Sequence, residues 1–176
     1  MTSRYHKRGL RVAVFLDAVN IFASVRDTYG CLPDHGKLLK AAIADNHLHK
    51  AIAYCVRQGE GMDQWRSVVG RYGYEFREKT PVHFKDGKGK ADHDMEIACD
   101  VWRLSGAVDM IVLITGDGDF TELVKRCREL GKITRVMGVP GSTNHVLKEE
   151  ADEFVPIDET FIRVNKPAKT GKEVRK

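Results

Sequence analysis

Residues 110–120 read MIVLITGDGDF, and this stretch decides the fold. Met110 to Ile114 is a short run of apolar, mainly β-branched side chains, which is typical of a strand buried on both faces. The TGDGD turn, residues 115–119, follows directly and leads into a helix over Phe120 to Leu130 that ends at Gly131. A buried strand, a glycine-rich turn and a helix in this order indicate one unit of a parallel sheet.

Strand and helix patterns alternate along most of the chain on either side of this unit. Apolar runs predict further strands at residues 11–17, 48–56, 74–78, 133–139 and 154–157, and helical spacing predicts helices at 19–29, 36–46, 62–72, 92–104 and 142–150. Repeated strand–helix–strand units favour an α/β fold, with a parallel sheet that has helices on both faces and right-handed crossovers. In such a sheet the functional crevice lies outside the carboxyl ends of the strands.

The composition is that of an ordinary globular protein. The chain has 176 residues, of which 42% are apolar and 31% charged, and this excludes the collagen-like, disordered and membrane classes. The basic start lacks the pattern of a secretory signal, and the apolar runs are far shorter than the roughly 20 residues of a membrane span. The cysteines form no C-x-x-C pair and are interpreted as buried thiols in a reducing compartment: Cys31, Cys55, Cys99 and Cys127. We therefore expect a cytoplasmic protein without membrane contact.

The net charge of +4 is unevenly distributed. Residues 1–11 carry four cations and no acid, and residues 166–176 carry five cations and one acid, so the body between them has a net charge of −4. We interpret residues 1–10 as a basic N-terminal tail, residues 11–160 as one domain, and residues 161–176 as a basic, disordered C-terminal tail. The tails suit attraction to nucleic acid or an anionic surface, and a role in solubility alone fits them equally well.

Acidic residues follow two of the predicted strands at their carboxyl ends. Asp17 follows the first strand, with Asn20 three residues later, and Asp117 and Asp119 lie in the TGDGD turn after Thr115. Each acid also has a purely structural interpretation as a helix cap or turn residue. The coincidence of two such positions at one edge of the sheet is what favours a functional site.

A third acidic group begins the helix over residues 92–104. Acids are favoured in a first helical turn, which accounts for some of the carboxylates in the DHDME stretch at residues 92–96. Asp100 lies farther along the helix, and its position fits either a partly buried supporting acid or one that faces solvent. Several carboxylates at one crevice repel one another unless a cation lies among them. Oxygen ligands suit Mg²⁺ or Mn²⁺, so the pattern predicts metal-assisted phosphoryl transfer with an activated water.

Four ordered blocks of the sequence resemble the NYN domain, a PIN-like nuclease family, in its LabA-like branch. They are VFLDAVN at 14–20, KADHDMEIACD at 90–100, ITGDGDF at 114–120 and ADEF at 151–154. The resemblance implies a Rossmann-like, PIN-like parallel sheet of five to six strands, with an acidic cluster that binds Mg²⁺ or Mn²⁺ for RNA cleavage. Carried over by position, it implies a metal-binding core of Asp17, Asp94 and Asp117, supporting acids at Asp119 and Asp92, and orienting polar groups at Asn20 and Thr115.

The second block departs from the family at two positions. Glu96 replaces a small residue, and it either adds a supporting carboxylate or faces solvent. His93 stands where the family often has a small residue or Trp, and we expect a surface histidine without a role rather than a phosphate contact. Near the end of the chain, Ser142 is expected to cap the last helix, although Ser142 and Asn144 could also face the crevice.

The leading prediction is a metal-dependent ribonuclease, specifically an endoribonuclease that hydrolyses RNA phosphodiester bonds through an activated water. Contacts to the RNA backbone are expected from three lysines of the loop at residues 79–90, namely Lys85, Lys88 and Lys90. Two alternatives stay open. One is a catalytically weak PIN-like module that binds RNA or a protein. The other is a HAD-like phosphatase, which needs Asp or Thr where this chain has Val19. The substrate RNA, the number of metal ions and any homo-oligomer are left undetermined.

Overall fold

Six parallel strands form one sheet through the middle of the protein. The structure is a computed structural model that describes residues 9–57, 62–80 and 92–163. The strands are β1 (Arg11–Asp17), β2 (His47–Val56), β3 (Tyr74–Lys79), β4 (Met110–Ile114), β5 (Ile133–Gly138) and β6 (Glu153–Pro156). Their order is β3-β2-β1-β4-β5-β6, and every neighbouring pair is parallel. The predicted α/β fold is confirmed, with six strands.

Helices cover both faces of this sheet, as predicted. They are α1 (Ala18–Tyr29), α2 (His35–Ile43), α3 (Met62–Gly70), α4 (Asp94–Ser105), α5 (Thr121–Glu129) and α6 (His145–Glu150). The first three pack over one core with Leu16, and the last three pack over a second core with Phe15. Because β1 is covered on both faces, its side chains are buried without alternation, which is why it reads as an unbroken apolar run.

The order of the strands reverses at β1, and this reversal positions the site. From β1 the chain proceeds outward through β2 and β3, and it then returns to β4 on the other side of β1. A reversal of this kind leaves a crevice between the carboxyl ends of the two central strands. Leu16 of β1 pairs with Ile114 of β4, so the residues that follow them, Asp17 and Thr115, lie side by side.

The predicted cap of the last helix is wrong. Helix α6 begins at His145, and Asn144 caps it, because the Asn144 Oδ1 accepts hydrogen bonds from the Val146 and Leu147 amides at 2.9 and 3.3 Å. The Thr143 amide and hydroxyl both donate to the Val139 carbonyl, at 2.9 and 2.7 Å. These hydrogen bonds close a separate turn that ends before α6 begins.

The expectation that all four cysteines are buried is also wrong. Cys55 and Cys127 are buried, and burial raises the pKa of each thiol to about 11. Cys31 is half-buried, and Cys99 is exposed because it lies on the outward side of α4, two residues past the buried Ile97. All four thiols are free.

Among the described residues no helix is both long and apolar enough to cross a membrane.

A buried histidine at the start of α2 predicts a loss of stability in mild acid. The His35 Nε2 accepts a hydrogen bond from the Trp65 indole at 3.0 Å. Burial, with a smaller effect of Arg163, lowers the pKa of His35 from 6.5 to about 4. Between pH 6.5 and pH 4, His35 takes up a proton in the unfolded chain but not in the folded chain. Proton uptake therefore favours the unfolded chain, and the free energy of unfolding decreases as the pH falls from 6.5 to 4. We expect a decrease of about 3 kcal/mol.

The titration of the His35 ring, followed by NMR on the folded protein, tests this directly. The ring signals should stay those of the neutral form down to about pH 5. A His35 ring that takes up its proton near pH 6.5 would show that burial does not exclude the charged form.

Candidate metal centre

Asp17 ends β1 and caps α1 at the edge of the crevice. Its Oδ1 accepts a hydrogen bond from the Asn20 amide at 3.1 Å, and its Oδ2 accepts one from the Thr115 hydroxyl at 3.2 Å. Burial raises the pKa of Asp17, the two hydrogen bonds oppose this, and the negative charges of Asp94 and Asp117 raise the pKa further. The ionised carboxylate is therefore costly in this position unless a cation lies nearby.

Three hydrogen bonds fix the TGDGD turn after β4. The Gly116 amide donates to the Asn20 Oδ1 at 2.8 Å, and the Asp117 amide donates to the Thr115 Oγ1 at 3.2 Å. The Asp119 amide in turn donates to the Asp117 Oδ1 at 3.0 Å. Asn20 and Thr115 thus hold the backbone that carries the two aspartates, and Thr115 also links this turn to Asp17.

The third acidic residue at the crevice, Asp94, is the first residue of α4, and His93 anchors the backbone beside it. His93 is 4% exposed, which corrects the expectation of a surface histidine. Its Nε2 lies 2.9 Å from the carbonyl oxygen of Cys55 at the end of β2. Because a carbonyl only accepts hydrogen bonds, the Nε2 carries the proton. The ring of Tyr54 packs against the imidazole, with 5.7 Å between the ring centroids.

The carboxylates of Asp94, Asp117 and Asp119 form the acidic cluster. Each offers an oxygen within 4.8 Å of the others, and Asp94 and Asp117 are half-buried while Asp119 is exposed. A cavity of about 160 Å³ lies beside the cluster and is lined by Asp17, Val19, Asn20, Asp92, His93, Asp94 and Asp117. In octahedral coordination of Mg²⁺ at about 2.1 Å, ligand oxygens are about 3 to 4 Å apart. The acidic cluster therefore fits one small cation after minor side-chain adjustment.

Two acids named from the sequence, Glu96 and Asp100, lie outside both this cavity and the acidic cluster. Glu96 is paired with Lys79, whose Nζ lies 2.6 Å from the Glu96 Oε1, and this hydrogen bond lowers the pKa of Glu96. Asp100 accepts a hydrogen bond from the Tyr54 hydroxyl at 2.8 Å and pairs with two arginines. Both carboxylates are thus neutralised by neighbours from β2, β3 and α4, and the structure does not bring them to the acidic cluster.

The sequence predicts RNA contacts from three lysines beside the crevice and from the two basic tails. Lys85, Lys88 and Lys90 lie outside the described residues, as do residues 1–8 and 164–176 of the two basic tails. Arg57, which the sequence reasoning missed, immediately follows β2 and is exposed at the same edge of the sheet as the acidic cluster. Within the described part of the chain its guanidinium has no hydrogen-bond or ion-pair partner. Its place directly after a buried strand is the signal that could have identified it.

Comparisons with known proteins find a matching family model and two similar proteins. The sequence model of the NYN domain matches residues 11–158, which include every carboxylate of the acidic cluster. The chain is 24% identical over 161 residues to the low amplitude and bright protein LabA of Synechococcus elongatus, and the match covers 86% of each chain. It also resembles the crystal structure of a protein of unknown function from Vibrio parahaemolyticus. That likeness has a TM-score of 0.83 and 28% identity, and it covers 90% of this chain and 99% of the other.

Proposed function

Because the chain belongs to the NYN domain family, whose members are PIN-like nucleases, we propose that it is a metal-dependent endoribonuclease. The observation that carries this proposal is the acidic cluster, in which Asp94, Asp117 and Asp119 bring three carboxylate oxygens within 4.8 Å of one another. The cluster lies at the crevice where the strand order reverses, the usual place for a ligand in an open α/β sheet. Four free cysteines suit the reducing cytoplasm, where we place the protein.

The chemistry of the donors fits Mg²⁺ or Mn²⁺. The acidic cluster supplies carboxylate oxygens alone, and hard cations prefer oxygen ligands. When bound, such a cation polarises a phosphoryl oxygen and lowers the pKa of a coordinated water.

The residues around the acidic cluster hold it in place through a short chain of hydrogen bonds. Asp17 fixes the Thr115 hydroxyl, and the Thr115 oxygen in turn fixes the Asp117 amide. Asn20 holds the amide of Gly116 in the same turn. Asp17 therefore orients the Asp117 backbone and also adds its own negative charge to the cavity. A site positioned by hydrogen bonds of this kind needs little rearrangement when it binds its ligands.

A cleavage assay tests the proposed function. Purified protein is incubated with end-labelled single-stranded RNA, and with DNA of the same sequence, in Mn²⁺, in Mg²⁺ and in chelator. We expect internal cleavage of the RNA that leaves 5′-phosphate ends and stops in chelator. RNA that stays intact in both cations, or cleavage that continues in chelator, contradicts the proposal.

Arg57 is the described cation best placed to contact the RNA backbone at this edge. Because its guanidinium has no partner in the described part of the chain, a phosphate would be its first counter-ion. We expect Arg57→Ala to weaken RNA binding about three- to tenfold and to lower the slope of log affinity against log salt by about one. Fluorescence anisotropy with labelled RNA over a range of salt concentrations measures both quantities.

Lys40 provides the matched control for this prediction. It is exposed near the end of α2 and likewise has no side-chain partner among the described residues. Lys40→Ala removes the same charge near the amino end of β2, at the edge of the sheet opposite the crevice, so it should leave the salt dependence nearly unchanged. Equal effects of the two variants would mean that Arg57 contributes only to the general charge of the protein.

A further inference from the structure

A second cavity adjoins the one beside the acidic cluster. It is open to solvent, has a volume of about 540 Å³, and lies between the TGDGD turn and the loop at residues 141–145. Asn20 and Asp117 line both cavities, so the two lie side by side. A substrate whose phosphate lies at the acidic cluster would therefore extend into this second cavity.

The walls of the second cavity are fixed by contacts between the two loops. The Asn144 amide donates to the Gly116 carbonyl at 3.0 Å, and the Gly116 amide is held by Asn20. Gly118 packs so closely that a Cβ there would lie 2.5 Å from the Asn144 Nδ2. The Asn144 side chain cannot move away freely, since its Oδ1 caps α6. The cavity is thus formed before any ligand arrives.

The lining offers hydrogen-bonding groups that the fold leaves largely unused. The Ser142 hydroxyl makes one long hydrogen bond, of 3.5 Å, to the Val139 carbonyl. The Asn144 Nδ2 and the exposed His145 imidazole have no hydrogen-bond partner among the described residues. No Lys or Arg lines the cavity, and its one carboxylate is that of Asp117.

This chemistry distinguishes between the parts of a nucleotide. A phosphate in the second cavity would place a further negative charge beside Asp117 with no Lys or Arg in the lining to offset it. Hydroxyl, amide and imidazole groups instead suit the hydroxyls of a sugar and the edge of a base. The ribose 2′-OH, which both donates and accepts, is the group that distinguishes RNA from DNA.

We propose that the second cavity binds the ribonucleoside next to the cleaved phosphate and reads its 2′-OH. This inference rests on the proposed function, since it takes RNA as the substrate. In this proposal the loop at residues 141–145 provides the preference for RNA over DNA, whereas the carboxylates bind the metal ion.

The test places a bulky side chain in the second cavity at Gly141. An ideal Cβ on Gly141 has no other heavy atom within 4 Å, so Gly141→Trp extends into open space without disturbing the fold. Gly106→Trp is the matched control, because Gly106 is equally open and lies at the far end of α4. Both changes are made in the Asp94→Asn background to prevent cleavage, since Asp94 does not line this cavity. Anisotropy then measures the affinity for a short single-stranded RNA and for DNA of the same sequence.

We expect Gly141→Trp to weaken RNA binding about tenfold and to bring the ratio of RNA to DNA affinity close to one, while Gly106→Trp changes neither. Unchanged RNA affinity, an equal loss for RNA and DNA, or no preference for RNA before the change would each overturn the inference. Ser142→Ala combined with His145→Ala removes only exposed side chains, and it should lower the same ratio even if the tryptophan variant does not fold. Metal binding by Asp94-intact protein, measured by calorimetry, reports separately on the proposed function.

Discussion

Asp117→Asn is expected to weaken Mn²⁺ binding by more than about 100-fold, because it removes one of three negative charges that converge on the cation. The substitution leaves the local backbone intact. Asn serves as a cap as well as Asp does, and its Oδ1 can still accept the hydrogen bond from the Asp119 amide. Isothermal titration calorimetry with Mn²⁺ measures the loss, and thermal unfolding without metal checks that the variant folds.

The matched control is Asp63→Asn on α3, where the carboxylate is 89% exposed and pairs only loosely with Arg66 at 3.7 Å. This variant should bind Mn²⁺ as the unmodified protein does. Added Mn²⁺ should raise the melting temperature of the unmodified protein and of Asp63→Asn, and it should leave that of Asp117→Asn unchanged. A melting temperature of Asp117→Asn that rises equally with Mn²⁺ would place the metal elsewhere.

His93→Ala is expected to weaken Mn²⁺ binding and slow RNA cleavage by about 10- to 100-fold, although His93 is not one of the proposed ligands. The imidazole ties the start of α4 to the end of β2 through the Cys55 carbonyl, and Asp94 is the next residue along the chain. Without this hydrogen bond the first turn of α4 is free to shift, and Asp94 moves away from Asp117. Calorimetry and the cleavage assay measure the two effects.

The conservative variant His93→Gln separates positioning from simple loss of packing. The Gln side-chain amide has an N–H that can reach the Cys55 carbonyl in place of the Nε2–H, so we expect it to recover most of the metal affinity. If His93→Gln and His93→Ala were equally impaired, or if neither changed metal affinity, the hydrogen bond to Cys55 would not be what positions Asp94.

The strands that carry the site could be predicted because their signals are local. Met110 to Ile114 is apolar throughout and is followed at once by the TGDGD turn, and the same pattern of buried strand and polar end recurs at Asp17. Both strands are central in the sheet, where burial on two faces imposes an apolar run. The meeting of Asp17 and Thr115 then follows from the parallel register alone.

The surroundings of the acidic cluster could not be predicted in the same way, because they depend on contacts between distant residues. His93 is buried only because the end of β2 presents the Cys55 carbonyl, 38 residues earlier in the chain. Asp100 faces Tyr54, and Glu96 faces Lys79, for the same kind of reason. Helical spacing shows that such residues share a helix, but it does not show which residues of the neighbouring strands they contact.

The cap of α6 shows a different limit. Ser142 and Asn144 are both good capping residues, and they are separated by a single position, so capping preference alone does not choose between them. In the structure Ser142 and Thr143 belong to a separate turn closed on the Val139 carbonyl, which leaves Asn144 as the residue before the helix.

The central claim is that the acidic cluster holds the divalent cation on which RNA cleavage depends. The most direct test is the initial rate of cleavage of one labelled single-stranded RNA in Mn²⁺ by the unmodified protein, by Asp94→Asn combined with Asp117→Asn, and by Asp63→Asn. We predict a rate lower by about 1000-fold for the double variant and an unchanged rate for Asp63→Asn. Cleavage by the folded double variant at the rate of the unmodified protein would contradict the account.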